Sequence, residues 1–411
     1  MSSRQRDGSV SGSWVTLPIK RVAREVTQKE DSLPSGSVYV GLENLESWTG
    51  RLIGLDKPVE PTGAVSVYRK GDVLFGKLRP YLAKSFVAPF DGAGTSEFVV
   101  FRPSSDIHPR FLNYFFLTPA FVEAVNASTY GAKMPRASDD FIASYPISLP
   151  QRAAQDRIVD FLDRETAKID SLIAEKERLL QVLEERRQAL ITQAVTRGLD
   201  PSVPMKDSGL PWLGTIPSHW CIKRTRWLFR ERDERSVSGE EELLTVSHLT
   251  GVTARSEKEV TMFMAESLED YKVCHVNDLV INTMWAWMGA MGVSWIHGVC
   301  SPSYNVYEPN RSLLNPEFVD MLCRTPTFVQ EATRFSKGVW SSRLRLYPDG
   351  FFLIWLPVPP LTEQDEIVAG IRHEVASMSK IKANATRTIA TLSALRQATI
   401  HEAISGGAAA E

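Results

Sequence analysis

The sequence predicts an α+β protein: two mixed α/β domains joined by two long helices packed as an antiparallel coiled coil, an internal repeat with pseudo-twofold symmetry. Three observations predict it. First, the 411-residue chain states one pattern twice. Gly71-Asp72-Val73-Leu74 recurs as Asn277-Asp278-Leu279-Val280, 206 residues on (278 − 72), and Thr118-Pro119-Ala120-Phe121-Val122 recurs as Thr325-Pro326-Thr327-Phe328-Val329, 207 residues on (326 − 119). Second, each copy ends in a long amphipathic stretch whose landmarks also repeat. Pro150 with Gln155-Asp156-Arg157-Ile158-Val159 returns as Pro359 with Gln364-Asp365-Glu366-Ile367-Val368, and Arg187-Gln188-Ala189 as Arg396-Gln397-Ala398, both 209 residues on (364 − 155). Third, the rest is short apolar runs broken by Gly and Pro without regular strand–helix alternation, which argues against a doubly wound sheet. Two linked copies make a pseudo-dimer, suited to a target with two half-sites.

The elements follow in order. Residues 1–13 are mostly Ser, Gly, Arg and Gln with no apolar run and read as a flexible N-terminus. Residues 14–150 form the first domain, with strands expected at Val38-Tyr39-Val40, Val73-Leu74-Phe75 and Phe98-Val99-Val100-Phe101, and one helix over Phe111 to Val125 after Pro109. From 151 to 198 Gly and Pro vanish until Gly198, and apolar residues fall at Ile158, Leu162, Ile169, Leu172, Leu179, Leu183, Leu190 and Ala194, a heptad-like seam. Some forty helical residues at 1.5 Å each span about 60 Å. Glu165, Lys176 and Arg186 or Arg187 interrupt the seam. Gly198, Pro201 and Pro204 stop it, and a linker covers 199–216. The second domain, 217–359, places strands at Leu244-Thr245-Val246 and Leu279-Val280-Ile281 and a helix over Glu317 to Ala332. The second long helix, 360–407, carries Ile367, Ile371, Val375, Met378, Ile389, Leu392 and Ile404, ending at Gly406-Gly407.

A chain this long with 43% hydrophobic residues can bury two cores. The four cysteines, Cys221, Cys274, Cys300 and Cys323, are widely spaced with no CxxC, so they read as reduced core thiols of a cytoplasmic protein. No run approaches the roughly 20 apolar residues of a membrane span. The formal net charge of −2 hides a local excess: Arg69, Lys70, Lys77, Arg79 and Lys84 fall in a stretch whose one acid is Asp72. Such a basic loop on a neutral body can contact phosphate.

Catalytic patterns are missing from the sequence. There is no GxGxxG after a strand, no GxxxxGK[ST], no HExxH and no clustered carboxylates for metal ions. Ser301-Pro302-Ser303-Tyr304 is the nearest approach to a base-methyltransferase tetrapeptide, but its counterpart Thr95-Ser96-Glu97-Phe98 enters a strand, so it reads as structural. What remains is recognition equipment at matching places. Phe75 to Lys84 aligns with Ile281 to Ala290 at an offset of 206 (281 − 75): one loop cationic with Lys77, Arg79, Tyr81 and Lys84, the other offering Asn282 and Trp285. A second pair of loops runs from Tyr130 to Arg136, with Lys133, and from Lys337 to Arg343, with Trp340; at an offset of 207 (343 − 136) Arg136 and Arg343 share a position.

These residues carry a family likeness. The stretch Lys206-Asp207-Ser208-Gly209-Leu210-Pro211-Trp212-Leu213-Gly214-Thr215-Ile216-Pro217-Ser218-His219-Trp220 resembles the segment that opens a target-recognition domain in specificity subunits of Type I restriction-modification systems. Pro359-Pro360-Leu361-Thr362-Glu363-Gln364 to Val368 is similar to that family's entry into a spacer helix, and Arg187-Gln188-Ala189-Leu190-Ile191 to the end of its central helix. The first copy departs from the pattern with Gln151-Arg152-Ala153-Ala154, and residues Met1 to Trp14 lack the full opening motif.

The resemblance implies a non-catalytic DNA-binding subunit for bacterial defence. Each recognition domain would read one half of a bipartite, asymmetric site in double-stranded DNA, with Lys77, Arg79, Tyr81, Lys84, Lys133, Arg136, Asn282, Trp285, Lys337, Trp340 and Arg343 as candidate contacts. The helices, with Ile158, Leu162, Ile169, Leu172, Leu179, Leu183, Val375, Met378, Ile389 and Leu392, would set the gap and dock two methyltransferase subunits. Restriction and translocation subunits would join. S-adenosylmethionine, ATP and Mg would bind those partners, none of them this chain. The other readings are a DNA-reading module of a methylation-only or other defence system, and a coiled-coil scaffold without a nucleic-acid role.

Overall fold

The structure, a computed structural model, describes residues 14–56, 61, 63–257, 267–340 and 343–406. The chain divides into two compact units: the first comprises the described residues up to Glu177 together with those from Thr386 onward, the second Arg178–Ala385. The division cuts through both long helices, so each unit owns a globular part and a segment of each helix. Gly407, where the second helix was expected to end, lies outside the described residues.

In the first unit, strand Val15–Pro18 pairs antiparallel with Pro146–Leu149 and brings the ends of the globular part together. One four-stranded antiparallel sheet runs in the order Ala23–Glu25, Phe98–Pro103, Val73–Gly76, Ser85–Val87. A second sheet orders Lys29–Glu30, Val65–Tyr68, Gly92–Thr95 and Val38–Val40, the last pair parallel. Strand Val73–Gly76 is apolar throughout because both its faces are covered: Val73 and Phe75 join the core of Phe101, Phe111, Phe116 and Phe121, while Leu74 joins Phe86, Phe98 and Val100. The second unit repeats this. Its main sheet orders Phe229–Arg232, Tyr304–Pro309, Leu279–Asn282, Met291–Val293, with Leu279 and Ile281 in one core and Val280 in the other.

The recurring Gly-Asp and Asn-Asp steps are turns. Gly71 and Asn277 adopt φ of 89° and 78°, the left-handed region that glycine and asparagine tolerate best. The buried Asp that follows closes the turn: Asp72 Oδ2 accepts from Arg69 N at 2.8 Å and Asp278 Oδ2 from His275 N at 2.9 Å. An arginine neutralises each carboxylate, Arg102 at 2.7 Å and Arg232 at 2.8 Å, from different strands of the two sheets.

The single helix expected in each copy is two. Pro109–Phe116 and Pro119–Ala127 replace the run from Phe111 to Val125, and Pro316–Cys323 and Pro326–Arg334 replace that from Glu317 to Ala332. Proline lacks an N–H and forces its predecessor out of the α region; Thr118 and Thr325 are accordingly extended, with ψ of 139° and 144°, and a new helix starts at each Pro.

The long helices run Arg152–Arg197 and Leu361–Ile404. Within the first unit Ile158 and Leu162 share a core with Ile400, Ala403 and Ile404, and Asp170 meets Arg396 at 2.8 Å, so the two segments are antiparallel there. Arg396 is buried, and it also donates to the carbonyls of Trp48 and Thr49 at 2.8 and 3.2 Å. Its repeat-mate Arg187 instead bonds Glu184 one turn back. Within the second unit Ile191, Ala194 and Val195 share a core with Ile367, Val368 and Ile371.

The helices are locked to the globular parts by the repeated glutamine. Gln155 is buried; its Oε1 accepts from His108 N at 2.8 Å, and its Nε2 donates to the carbonyls of Asp106 and Pro150 at 2.9 and 3.0 Å. Gln364 accepts from Asn315 N and donates to Leu313 and Pro359, each at 2.8 Å. Close by, an ion pair keeps its place with its polarity reversed, Arg110 to Asp163 in the first unit and Glu317 to Arg372 in the second.

One cysteine expectation is corrected. Cys274, Cys300 and Cys323 are buried free thiols, and burial pushes the Cys323 thiol far above its ordinary pKa, but Cys221, the first residue of strand Cys221–Arg224, is exposed. One thiol of the folded chain is therefore expected to react quickly with a disulfide reagent and three only on unfolding. More than one fast equivalent would contradict this burial pattern.

Candidate nucleic-acid interface

In the first unit the two loops singled out in the sequence meet. Tyr130 and Arg136 exchange a pair of backbone hydrogen bonds, both 3.0 Å, closing a short hairpin with Gly131 at φ 90°. This hairpin is tied to the basic loop: Arg79 N donates to Pro135 O at 2.8 Å and Ala137 N to Lys77 O at 3.0 Å. Arg79 and Ala83 flank a turn of 3₁₀ helix, Pro80–Leu82, with φ of 51° and 44°. Left-handed backbone at two non-glycine residues costs energy that the surrounding bonds must hold in place.

The charges divide into those already paired and those that are not. Lys77 pairs with Asp139 at 2.9 Å, and Arg136 forks onto Glu97 with its shortest contact at 2.7 Å. The Glu97 carboxylate raises the guanidinium pKa still further, so Arg136 is charged at any pH of interest. Lys84 turns inward, donating from Nζ to Leu42 O at 2.6 Å, and burial lowers its pKa against the opposing pull of Glu43. It supports the loop and is not presented outward. Arg79 and Lys133 are exposed, with no carboxylate paired to either among the described residues, and Tyr81 stands 45% exposed between them in sequence.

The second unit builds the same frame with other side chains. A 3₁₀ turn, Ala286–Met288, replaces Pro80–Leu82, and Gly289 at φ 87° replaces Ala83. Trp285 is half exposed and stacks on Trp287, ring centroids 6.3 Å apart and planes 16° from parallel. Asn282 is buried, its Nδ2 3.4 Å from Val246 O, so it belongs to the sheet and not to the surface. Lys337 pairs with Asp349; Trp340 is 68% exposed and Arg343 is exposed without a paired carboxylate among the described residues.

One correspondence is corrected. The second hairpin closes between Lys337 and Arg345, whose backbones exchange two bonds of 2.9 Å, and Leu346 N donates to Thr283 O at 3.2 Å as Ala137 N does to Lys77 O. The position of Arg136 is thus held by Arg345, because the second loop is two residues longer; Arg343 lies nearer its tip. Ser341 and Ser342 lie outside the described residues.

The helix residues are mostly consumed internally. Ile158, Leu162 and Ile169 are buried in the first unit and Met378 in the second, while Leu179, Leu183, Val375, Ile389 and Leu392 are half-buried. Of the ten, only Leu172 is exposed, at 45%; Phe161, Val182, Ile381 and Leu395 on the same two helices are also exposed, and the heptad reading passed over them. A seam pattern finds residues facing a partner helix; an outward apolar residue has no periodic signal.

The motif shared by the linker and the second helix also acquires a mechanical role. Trp220 is fully buried, and its Nε1 donates to Glu363 Oε1 at 2.9 Å while His219 Nε2 meets Glu363 Oε2 at 2.7 Å. Ala154 stands at the equivalent place in the first helix (363 − 209), within the stretch where that copy departs from the pattern. Among the described residues no group of three or more His, Cys, Asp or Glu is placed to hold a metal ion, and no helix is long and apolar enough to cross a membrane.

The two units thus present unlike loops from like positions of a repeated α+β scaffold. Residues 28–183 match the family model described as Type I restriction modification DNA specificity domain. The chain is 23% identical over 189 residues to the Type I restriction enzyme EcoDI specificity subunit of Escherichia coli, covering 45% of this chain and 42% of that protein. It is 23% identical over 309 residues to the EcoBI specificity subunit of the same organism, covering 71% of this chain and 65% of that one. The matches therefore span less than two thirds of either relative. In fold it is similar over 95% of its length, at a TM-score of 0.67 and 20% identity, to a chain from a study of complex assembly and conformational transition of the type I R-M system, of which 97% is covered. It is similar over 97% of its length, at 0.50 and 18%, to the HsdS subunit from Thermoanaerobacter tengcongensis, of which 98% is covered. The resemblance read from the sequence to Type I specificity subunits holds.

Proposed function

We propose that this chain is the DNA sequence-specificity subunit of a Type I restriction-modification complex, with no catalytic role of its own. Residues 14–150 and 217–359 act as two target-recognition domains, each reading one half of a bipartite, asymmetric site. The helices at 151–198 and 360–407 set the gap, and 199–216 link the copies. The observation that carries this reading is the contrast between matched loops: Arg79, Tyr81 and Lys133 on one frame, Trp285, Trp340 and Arg343 on the other. Equal frames with unequal tips suit two different half-sites, since bases are read by side chains at groove edges while a shared frame fixes register.

Two methyltransferase subunits dock on the helices and supply S-adenosylmethionine chemistry on DNA adenine; restriction subunits, with ATP and Mg, join in the cytoplasm. The exposed apolar helix residues, Leu172 among them, are the docking candidates on the helices.

The test is to co-express the chain with its methyltransferase in a host free of other DNA methylation and map modified adenines by long-read sequencing. A bipartite motif with a constant internal gap is expected. A stable complex that leaves the genome unmethylated would favour a scaffold role.

A further inference from the structure

We infer that Arg345 makes a DNA phosphate contact in the second unit, and that Glu97 withholds its counterpart, Arg136, from such a contact in the first. The inference rests on the DNA-reading function proposed above and assigns unequal roles to one position of the frame.

The equivalence of the two arginines is fixed by backbone geometry. Each closes its hairpin through two backbone bonds, with Tyr130 in one unit and Lys337 in the other, and each precedes a residue whose N–H docks on the loop after the central strand. The equivalence of what faces them is fixed by the sheet. Phe98 pairs with Gly76 and Tyr304 with Asn282, so the residues preceding them, Glu97 and Ser303, hold the same place at the strand's entry. Both carbonyls accept from the residue that follows the central strand, Glu97 O from the Lys77 backbone N–H at 2.9 Å and Ser303 O from the Thr283 hydroxyl at 2.7 Å.

The side chains then diverge. In the first unit the Glu97 carboxylate takes three hydrogen bonds from the Arg136 guanidinium, 2.7 to 3.1 Å, and cancels its charge. A serine cannot. Arg345 is exposed and has no paired carboxylate among the described residues. A guanidinium presents a fork of donors that fits phosphate oxygens, and each phosphate it neutralises releases counterions, so the contact is visible as salt dependence.

The experiment measures binding of the full chain to a mixed-sequence 40-base-pair duplex across a salt series. Wild-type binding should weaken steeply with salt; a salt-independent or absent interaction would remove the DNA reading itself. Given salt-dependent binding, Arg345→Gln should flatten the slope of log affinity against log salt by about one contact, and Arg345→Lys should restore it. Glu97→Gln should steepen the slope by about one by releasing Arg136, and the double change Glu97→Gln with Arg136→Gln should return it to wild type. A wild-type slope for folded Arg345→Gln, or for Glu97→Gln, would overturn the inference while leaving the DNA reading in place. Circular dichroism and the thermal transition check that each variant is folded, and the Glu97→Gln variant keeps the test decisive if Arg345→Gln fails to fold.

Discussion

Replacing residues 14–150 with the equivalent segment of another specificity subunit, and leaving the chain unchanged from Gln151, is expected to change one half of the methylated motif completely and the other not at all. The junction makes this feasible. Strand Val15–Pro18 pairs with Pro146–Leu149, so the two cut points lie side by side and the exchanged segment closes on itself. The donor must present backbone groups where Asp106 O, His108 N and Pro150 O meet Gln155, or the new domain will not seat on the first helix. The candidate reading groups Arg79, Tyr81 and Lys133 leave with the segment, while Trp285, Trp340, Arg343 and Arg345 stay. A specificity change of this kind is large because each misread base pair costs about 1–3 kcal/mol and several are altered together. Methylation mapping reads both halves at once. An unchanged motif would show that the reading groups lie elsewhere, and a change in both halves would show that the two copies do not read separately.

The sequence carried the repeat, the strands and the helix seam because each leaves a periodic or punctuated trace. Asp72 and Asp278 marked the repeat, which the structure shows to be a turn, and the apolar run at Val73-Leu74-Phe75 marked a strand, which the fold covers on both faces. The candidate site was legible only in outline. Lys77 and Arg136 looked available for phosphate because the acids that pair with them, Asp139 and Glu97, are 62 and 39 residues away and come near only through folding. Lys84 looked outward for the same reason; its carbonyl partner is on Leu42. Asn282 was misplaced because a strand continues one residue beyond its apolar run, to Leu279–Asn282. The pairing of Arg136 with Arg343 was avoidable. The repeat offset grows from 207 at Pro119 and Pro326 to 209 at Pro150 and Pro359 (359 − 150), which demands two extra residues in between, and the loop before Arg345 is where they fit. The split of each short helix at Pro119 or Pro326 was also written in the sequence, in the proline itself.

Gln364→Ala is expected to lower the stability of the second unit by about 3–5 kcal/mol, and Gln155→Ala that of the first by a similar amount. Removing the Gln364 amide leaves the Asn315 N–H without its acceptor and the Leu313 and Pro359 carbonyls without their donor. The site is sealed, Gln364 being 0% exposed, so water does not replace the lost bonds without opening the structure. A buried polar group left unsatisfied costs about 1–3 kcal/mol, and three are exposed to that cost together. Gln364→Met isolates this effect, because it fills nearly the same volume with apolar atoms and still removes every hydrogen bond. The second unit's half of the lock fixes the entry angle of helix Leu361–Ile404, so its loss should also raise amide exchange at Asn315, the donor freed by the change. Urea unfolding of the full chain and peptide-level hydrogen exchange supply the two measurements. If both glutamine variants unfolded at the wild-type urea midpoint, the repeated glutamine would be a passenger of the duplication and the rigid seating of the helices would have to come from their apolar cores alone.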